Sequence, residues 1–195
     1  MENPQLISDV QRLTESLGQF PEPVAKPALI TVSGLPGTGK TYFCNKLAER
    51  LSFIVLESDA LRKALCPSPS YSSAESLRLF RACHHLIEQL LKRGFPLILD
   101  ATNLLEGHRE YLYSIADRLG VKLVLVQVEA PSQVVRERLK GRRGSETKSD
   151  ADWMAYQRMR PSVQPIRRNH YVVDTSRDIT PVLNKIVREV RKIGV

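Results

Sequence analysis

Eight residues, Gly34-Leu35-Pro36-Gly37-Thr38-Gly39-Lys40-Thr41, follow the pattern G-x-x-x-x-G-K-[ST]. The segments on either side give that pattern a physical meaning. Ala28–Ser33 (Ala-Leu-Ile-Thr-Val-Ser) is apolar and partly β-branched, as a buried strand is, and Tyr42–Leu51 carries Phe43, Leu47, Ala48 and Leu51 at helical spacing. A strand, a glycine-rich turn and a helix N-terminus together make a cradle for phosphate. Main-chain N–H groups converge, the helix dipole favours negative charge, Lys40 reaches toward terminal phosphates, and Thr41 can hold Mg²⁺. Glycines at 34, 37 and 39 allow backbone angles and close approaches that a side chain would block. The expectation is a chain that binds a nucleoside triphosphate.

The rest of the chain supplies one such unit. At 195 residues it fits a single core, and no run approaches the ~20 apolar residues needed to cross a bilayer. The start, Met1-Glu2-Asn3-Pro4-Gln5, lacks the basic segment and apolar core of a secretory signal. Cys44, Cys66 and Cys83 are odd in number and far apart, which argues against a disulfide framework or a zinc site and suits a reducing cytoplasm. Residues 1–27 read as an amphipathic helix (Leu6, Val10, Leu13 and Leu17 on one side) and a proline-rich lead-in. Residues 28–195 then alternate strands with helices. Strands are expected at 28–33, 53–56, 96–100, 121–128 and 170–173, and helices at 42–51, 60–65, 74–93, 106–119, 132–140 and 179–193. In the 74–93 helix Leu77, Phe80, Ala82, Leu86, Ile87 and Leu90 are expected inward. Such alternation implies a parallel sheet covered on both faces.

Ligands of parallel sheets bind beyond the carboxyl ends of the strands. Asp59 is expected at the end of the second strand, with Arg62 one helical turn later. The carboxylate can accept a proton from a hydroxyl, and the guanidinium can hold a phosphate. Asp100 ends the third strand, where an acid supports Mg²⁺, and Thr102 and Asn103 continue into a loop that can hydrogen-bond an acceptor. The formal net charge is +8, and residues 136–168 hold ten Lys and Arg against four acids. A surplus gathered in one segment attracts a polyanion or the triphosphate itself. Within a charged insertion at about 141–167 and the helix leading to it, Arg142, then Arg138, then Arg143 rank as the arginine that swings onto the β–γ bridge. Trp153, Tyr156 and Met159 have the spacing to anchor a lid. His84 and His85, adjacent on a helix, make a poor metal chelate. The loop Asp174-Thr175-Ser176-Arg177 stands where a base pocket would.

Taken together, Gly34–Thr41, Asp59-Ala60-Leu61-Arg62, Asp100-Ala101-Thr102-Asn103 and the arginines at 138 and 142 resemble the kinase domain of polynucleotide 5′-kinases. They also resemble the wider group of small P-loop kinases related to zeta toxins and chloramphenicol phosphotransferase. The resemblance spans approximately residues 28–176. It implies a three-layer α/β/α fold with strand order 2-3-1-4-5 and a basic lid. It implies ATP and Mg²⁺ as cofactors, Asp59 as the acid that activates a hydroxyl, Arg62 as a contact for an acceptor phosphate, and Arg142 as the lid arginine. The segment Ser149-Asp150-Ala151-Asp152-Trp153 looks more like uncharacterised bacterial members of the wider group. A polynucleotide or oligonucleotide 5′-hydroxyl is the leading acceptor. A sugar, antibiotic or nucleotide-sugar hydroxyl is the alternative, and a non-catalytic nucleotide-dependent switch is the reading from another class. DNA against RNA, base preference and oligomeric state stay open.

Overall fold

The structure, a computed structural model, describes residues 3–141 and 153–192. Five strands form one parallel sheet: β1 (Ala28–Ser33), β2 (Ile54–Glu57), β3 (Leu97–Asp100), β4 (Lys122–Glu129) and β5 (Tyr171–Asp174), in the order β2-β3-β1-β4-β5. This is the expected order. β1 is buried along its whole length because both of its edges are paired and both of its faces are covered. Side chains alternate between the faces at the period of a strand. Leu29, Leu97 and Leu99 join one core with α3 (Ser58–Leu65), α4 (Ser73–Lys92) and α5 (Glu106–Leu119). Ile30, Val32 and Ile98 join the opposite core with α2 (Lys40–Ala48) and α8 (Thr180–Arg191).

The leading helix, α1 (Pro4–Glu15), packs on α3 and α4 and buries Val10 and Leu13 in the first of these cores. Its Asp9, itself buried, receives two hydrogen bonds from Arg78 of α4, at 2.7 and 2.6 Å. After β4 come α6 (Ser132–Gly141), α7 (Trp153–Met159) and a single 3₁₀ turn (Arg160–Ser162). Tyr156 is buried against Val135 and Leu139 of α6, and Trp153 stacks on it with ring centroids 4.9 Å apart. This aromatic pair packs α7 on α6.

Two expectations need correction. Asp59 does not end the second strand. That strand continues through Glu57, which pairs in register with Asp100 of β3, and Asp59 sits in the first turn of α3. Leu77 does not face inward but is half exposed, because the buried stripe of α4 runs through Leu79, Ala82, Cys83, Leu86, Ile87 and Leu90. Two residues from Leu79, Leu77 falls about 200° around the helix.

Candidate active site

The turn from β1 into α2 carries the phosphate-loop pattern. Gly39, with φ of +95°, is the N-cap of α2. A side chain on Gly34 would place its Cβ 2.3 Å from the Val128 carbonyl oxygen, so only glycine lets the loop lie this close to β4. The loop is tied internally by Thr38, whose hydroxyl donates to the Leu35 carbonyl at 2.8 Å, and by Lys40, whose Nζ donates to the same carbonyl at 3.2 Å. Gly34 N donates to Thr102 O at 3.2 Å, which fastens the loop to the segment after β3.

This loop and the ends of β2 and β3 border a cavity of about 510 Å³. Gly37, Gly39, Lys40 and Thr41 line one side; Glu57, Ser58, Asp59 and Arg62 line another; Asp100, Thr102 and Asn103 form the floor. Tyr71, Leu79, Phe80 and, from α7, Ala155, Arg158 and Met159 complete the walls. Sequence motifs 59 and 100 are thus brought to the phosphate loop, as expected. Thr41 Oγ1 donates to Asp100 Oδ2 at 2.6 Å. Asp100 is 3% exposed; burial pushes its carboxyl above the ordinary value, while Lys40 and the Thr41 hydroxyl pull it back down. A buried carboxylate and a hydroxyl beside a lysine form a set of hard oxygen donors, the kind that suits Mg²⁺.

Arg62 already has partners in the protein. It donates to Glu75 of α4 and lies 4.9 Å over the Tyr71 ring. That guanidinium, with help from Ser70, holds the Glu75 carboxyl down to about 2. Arg138 does not line the cavity. It donates to Thr175 Oγ1 at 2.8 Å, to Thr175 O at 2.9 Å and to Thr38 O at 3.4 Å, so it clamps α6 to the phosphate loop and to the turn after β5. Thr175 belongs to the Asp174–Arg177 turn expected to hold a base. Arg142 and Arg143 lie outside the described residues.

Glu57, Tyr71, Glu75 and Arg158 are residues around the site that the sequence reading did not pick out. Only for Glu57 was a signal available: a polar residue directly ahead of a helix start, where a parallel strand ends. His84 stacks on Tyr111 with centroids 5.2 Å apart and lies 6.2 Å from Phe80, and burial lowers its pKa to about 4. It fills space between α4 and α5 and lies outside the cavity lining.

Comparisons with known proteins find kinases among the similar chains. A gluconokinase from Gluconobacter oxydans (strain 621H) is 27% identical over 124 residues, 61% of this chain and 67% of that protein. A cytidylate kinase from Methanococcoides burtonii is 29% identical over 118 residues, 60% of this chain and 64% of that protein. The chain therefore spans about two thirds of the length of these relatives. Among solved structures, the Mycobacterium tuberculosis APS kinase CysC in complex with AMPPNP and APS superposes with a TM-score of 0.65 at 19% identity. That match covers 87% of this chain and 99% of that one. The model of the AAA domain family matches residues 29–166, which include the phosphate loop, Asp59, Asp100 and α6. The chain belongs to the AAA domain family, as a P-loop kinase-like domain.

Proposed function

We propose that the protein is an ATP-dependent kinase that transfers the γ-phosphoryl group to the hydroxyl of a small polar acceptor. The observation that carries this reading is that Asp59, Lys40, Thr41 and Asp100 share one cavity. Loop amides and Lys40 hold the phosphates of ATP, and the Asp174–Arg177 turn flanks the base. Thr41 and Asp100 are the residues that would hold Mg²⁺, which neutralises phosphate charge when bound. Asp59 accepts the proton of the acceptor hydroxyl as its oxygen bonds to the γ-phosphorus. The bond from the γ-phosphorus to the bridging oxygen breaks, and ADP leaves with that electron pair. Arg142 remains the candidate for the lid arginine over the phosphates, and Arg62, steadied by Glu75, faces the acceptor.

A small acceptor is favoured over a polymer by the cavity itself. At about 510 Å³ it has the size of an ordinary small-molecule site, and α7 covers it through Ala155, Arg158 and Met159. The relatives named gluconokinase and cytidylate kinase point the same way. A polynucleotide 5′-hydroxyl is the second reading, favoured by the basic surplus in residues 136–168. Transfer of label from γ-labelled ATP to D-gluconate, CMP and a 5′-hydroxyl oligonucleotide separates the two. Labelling of either small acceptor alone supports the first reading, labelling of the oligonucleotide alone supports the second, and labelling of none with ATP still bound points to a nucleotide-dependent switch.

A further inference from the structure

Asn103 departs from the rest of the floor in two ways. Its φ of +45° lies in the left-handed region, where asparagine is tolerated and glycine is the default. Its side chain is buried at 5% exposure, and Nδ2 has no hydrogen-bond partner. Tolerance of the turn would explain an asparagine whose amide reaches solvent or bonds locally. It does not explain a buried donor left unpaired beside a cavity, which buried polar groups strongly avoid.

The turn that presents Asn103 is held from behind. Arg109 of α5, 3% exposed, donates through Nη1 to the Asn103 carbonyl at 2.8 Å. Through Nη2 it donates to the carbonyls of Gln164 and Pro165, at 3.0 and 2.9 Å, and to Glu106. Gln164 N donates to Leu104 O at 2.9 Å, and Gln164 Oε1 accepts from Glu106 N at 2.6 Å. The chain returning from α7 is thereby zipped onto the Asn103 turn, and one guanidinium sets floor against roof. Asn103 Nδ2, Arg109 Nε and Tyr113 Oη are the buried side-chain polar atoms without a partner among the described residues, and all three lie on this turn and α5.

We infer that Asn103 Nδ2 donates a hydrogen bond to an oxygen of the acceptor other than the one phosphorylated, and that Arg109 is the positioning residue that holds it there. This rests on the kinase reading above. The acceptor is then a polyol, carboxylate or phosphate ester with a second oxygen close to the reacting hydroxyl. Three variants test the assignment: Asn103→Gly, which suits the positive φ but removes the donor; Asn103→Asp, which keeps the shape but replaces the donor by a charged acceptor; and Arg109→Lys. Each is assayed on whichever of D-gluconate, CMP and the 5′-hydroxyl oligonucleotide the wild type labels, with thermal unfolding followed in parallel.

The expected result is a rise of ~10-fold or more in acceptor KM for both Asn103 variants, the size of one lost hydrogen bond. ATP KM stays within about twofold, and Asn103→Gly unfolds no earlier than wild type. Arg109→Lys raises acceptor KM in the same direction. An Asn103→Gly protein with the wild-type acceptor KM would show that the residue serves the turn alone and overturn the donor role. Arg109→Lys that lowers Tm but leaves acceptor KM unchanged overturns the positioning role. A wild type that labels none of the three probes removes the kinase reading and this assignment with it.

Discussion

Thr41 and Asp100, 59 residues apart, meet at the head of the sheet through a 2.6 Å hydrogen bond from hydroxyl to carboxylate. Thr41 comes from the first turn of α2 and Asp100 from the last residue of β3. The contact exists because β3 lies directly beside β1, where a chain that paired its strands in sequence order would have put β2. Strand order thus decides which acid serves the phosphate loop.

Asp100 should trade stability for chemistry. Burial raises its folded pKa above the ordinary value of 3.8. For an acid shifted upward, ionisation costs the folded state stability; the cost is present at neutral pH and is relieved as pH falls through the folded value toward the unfolded one. Asp100→Asn removes the charge and keeps an oxygen to accept from Thr41. The nucleotide-free variant is expected to melt ~2–4 °C higher at pH 7, the effect of about 1 kcal/mol in a protein of this size. Phosphoryl transfer is expected to fall ~10²-fold or more. Calorimetry beside initial rates checks both halves, and a lowered Tm would contradict the first.

Asp9 should behave in the opposite sense. Its hydrogen bonds to Arg78 hold the carboxyl below 3.8 despite its burial. A depressed acid contributes stability above its unfolded pKa and loses it as pH falls through the folded value. Asp9→Asn is expected to cost ~1–2 kcal/mol at pH 7, at the low end for a charged hydrogen bond because the Arg78 side chain is 39% exposed and screened by solvent. The difference from wild type should shrink on acidification below pH 4, as denaturant melts over a pH series would show. A difference that persists at pH 2 would mean that α1 is held by packing alone.

Arg138 should act through the loop it clamps. Its hydrogen bonds go to Thr38 O and to Thr175, away from the cavity lining. Arg138→Ala is expected to raise ATP KM by ~10-fold with a smaller effect on kcat, the pattern of binding lost equally from ground and transition states when the loop loosens. A fall in kcat of ~10³-fold with ATP KM unchanged would instead make it an arginine on the transferring group, the role expected from sequence.

The parts legible in the sequence were those written locally. Apolar runs mark Ala28–Ser33 and Pro96–Asp100 as buried strands, the second of which begins at Leu97 in the structure. Eight consecutive letters mark the phosphate loop, and glycines at 94 and 120, both at positive φ in the structure, mark helix ends. The strand order was carried by family resemblance, because neither composition nor spacing fixes which strand neighbours β1. What stayed hidden depends on contacts across the chain. Glu75 reaches Arg62 from 13 residues away, and Arg109 reaches Gln164 and Pro165 from 55 and 56. Asp59 stands in the first turn of α3, two residues past the last strand residue Glu57, because the helix begins at Ser58 and not at residue 60 as expected.

Asp59→Asn is the most direct measurement of all. With γ-labelled ATP and the best acceptor of D-gluconate, CMP and a 5′-hydroxyl oligonucleotide, the variant should lose ~10²–10⁴-fold in kcat, the usual contribution of a general base. Its ATP dissociation constant should stay within about twofold, since the phosphates are held by the loop and Lys40. Near-normal transfer by the variant would contradict Asp59 as the base, and an equal loss of ATP binding would place the carboxylate in the nucleotide site.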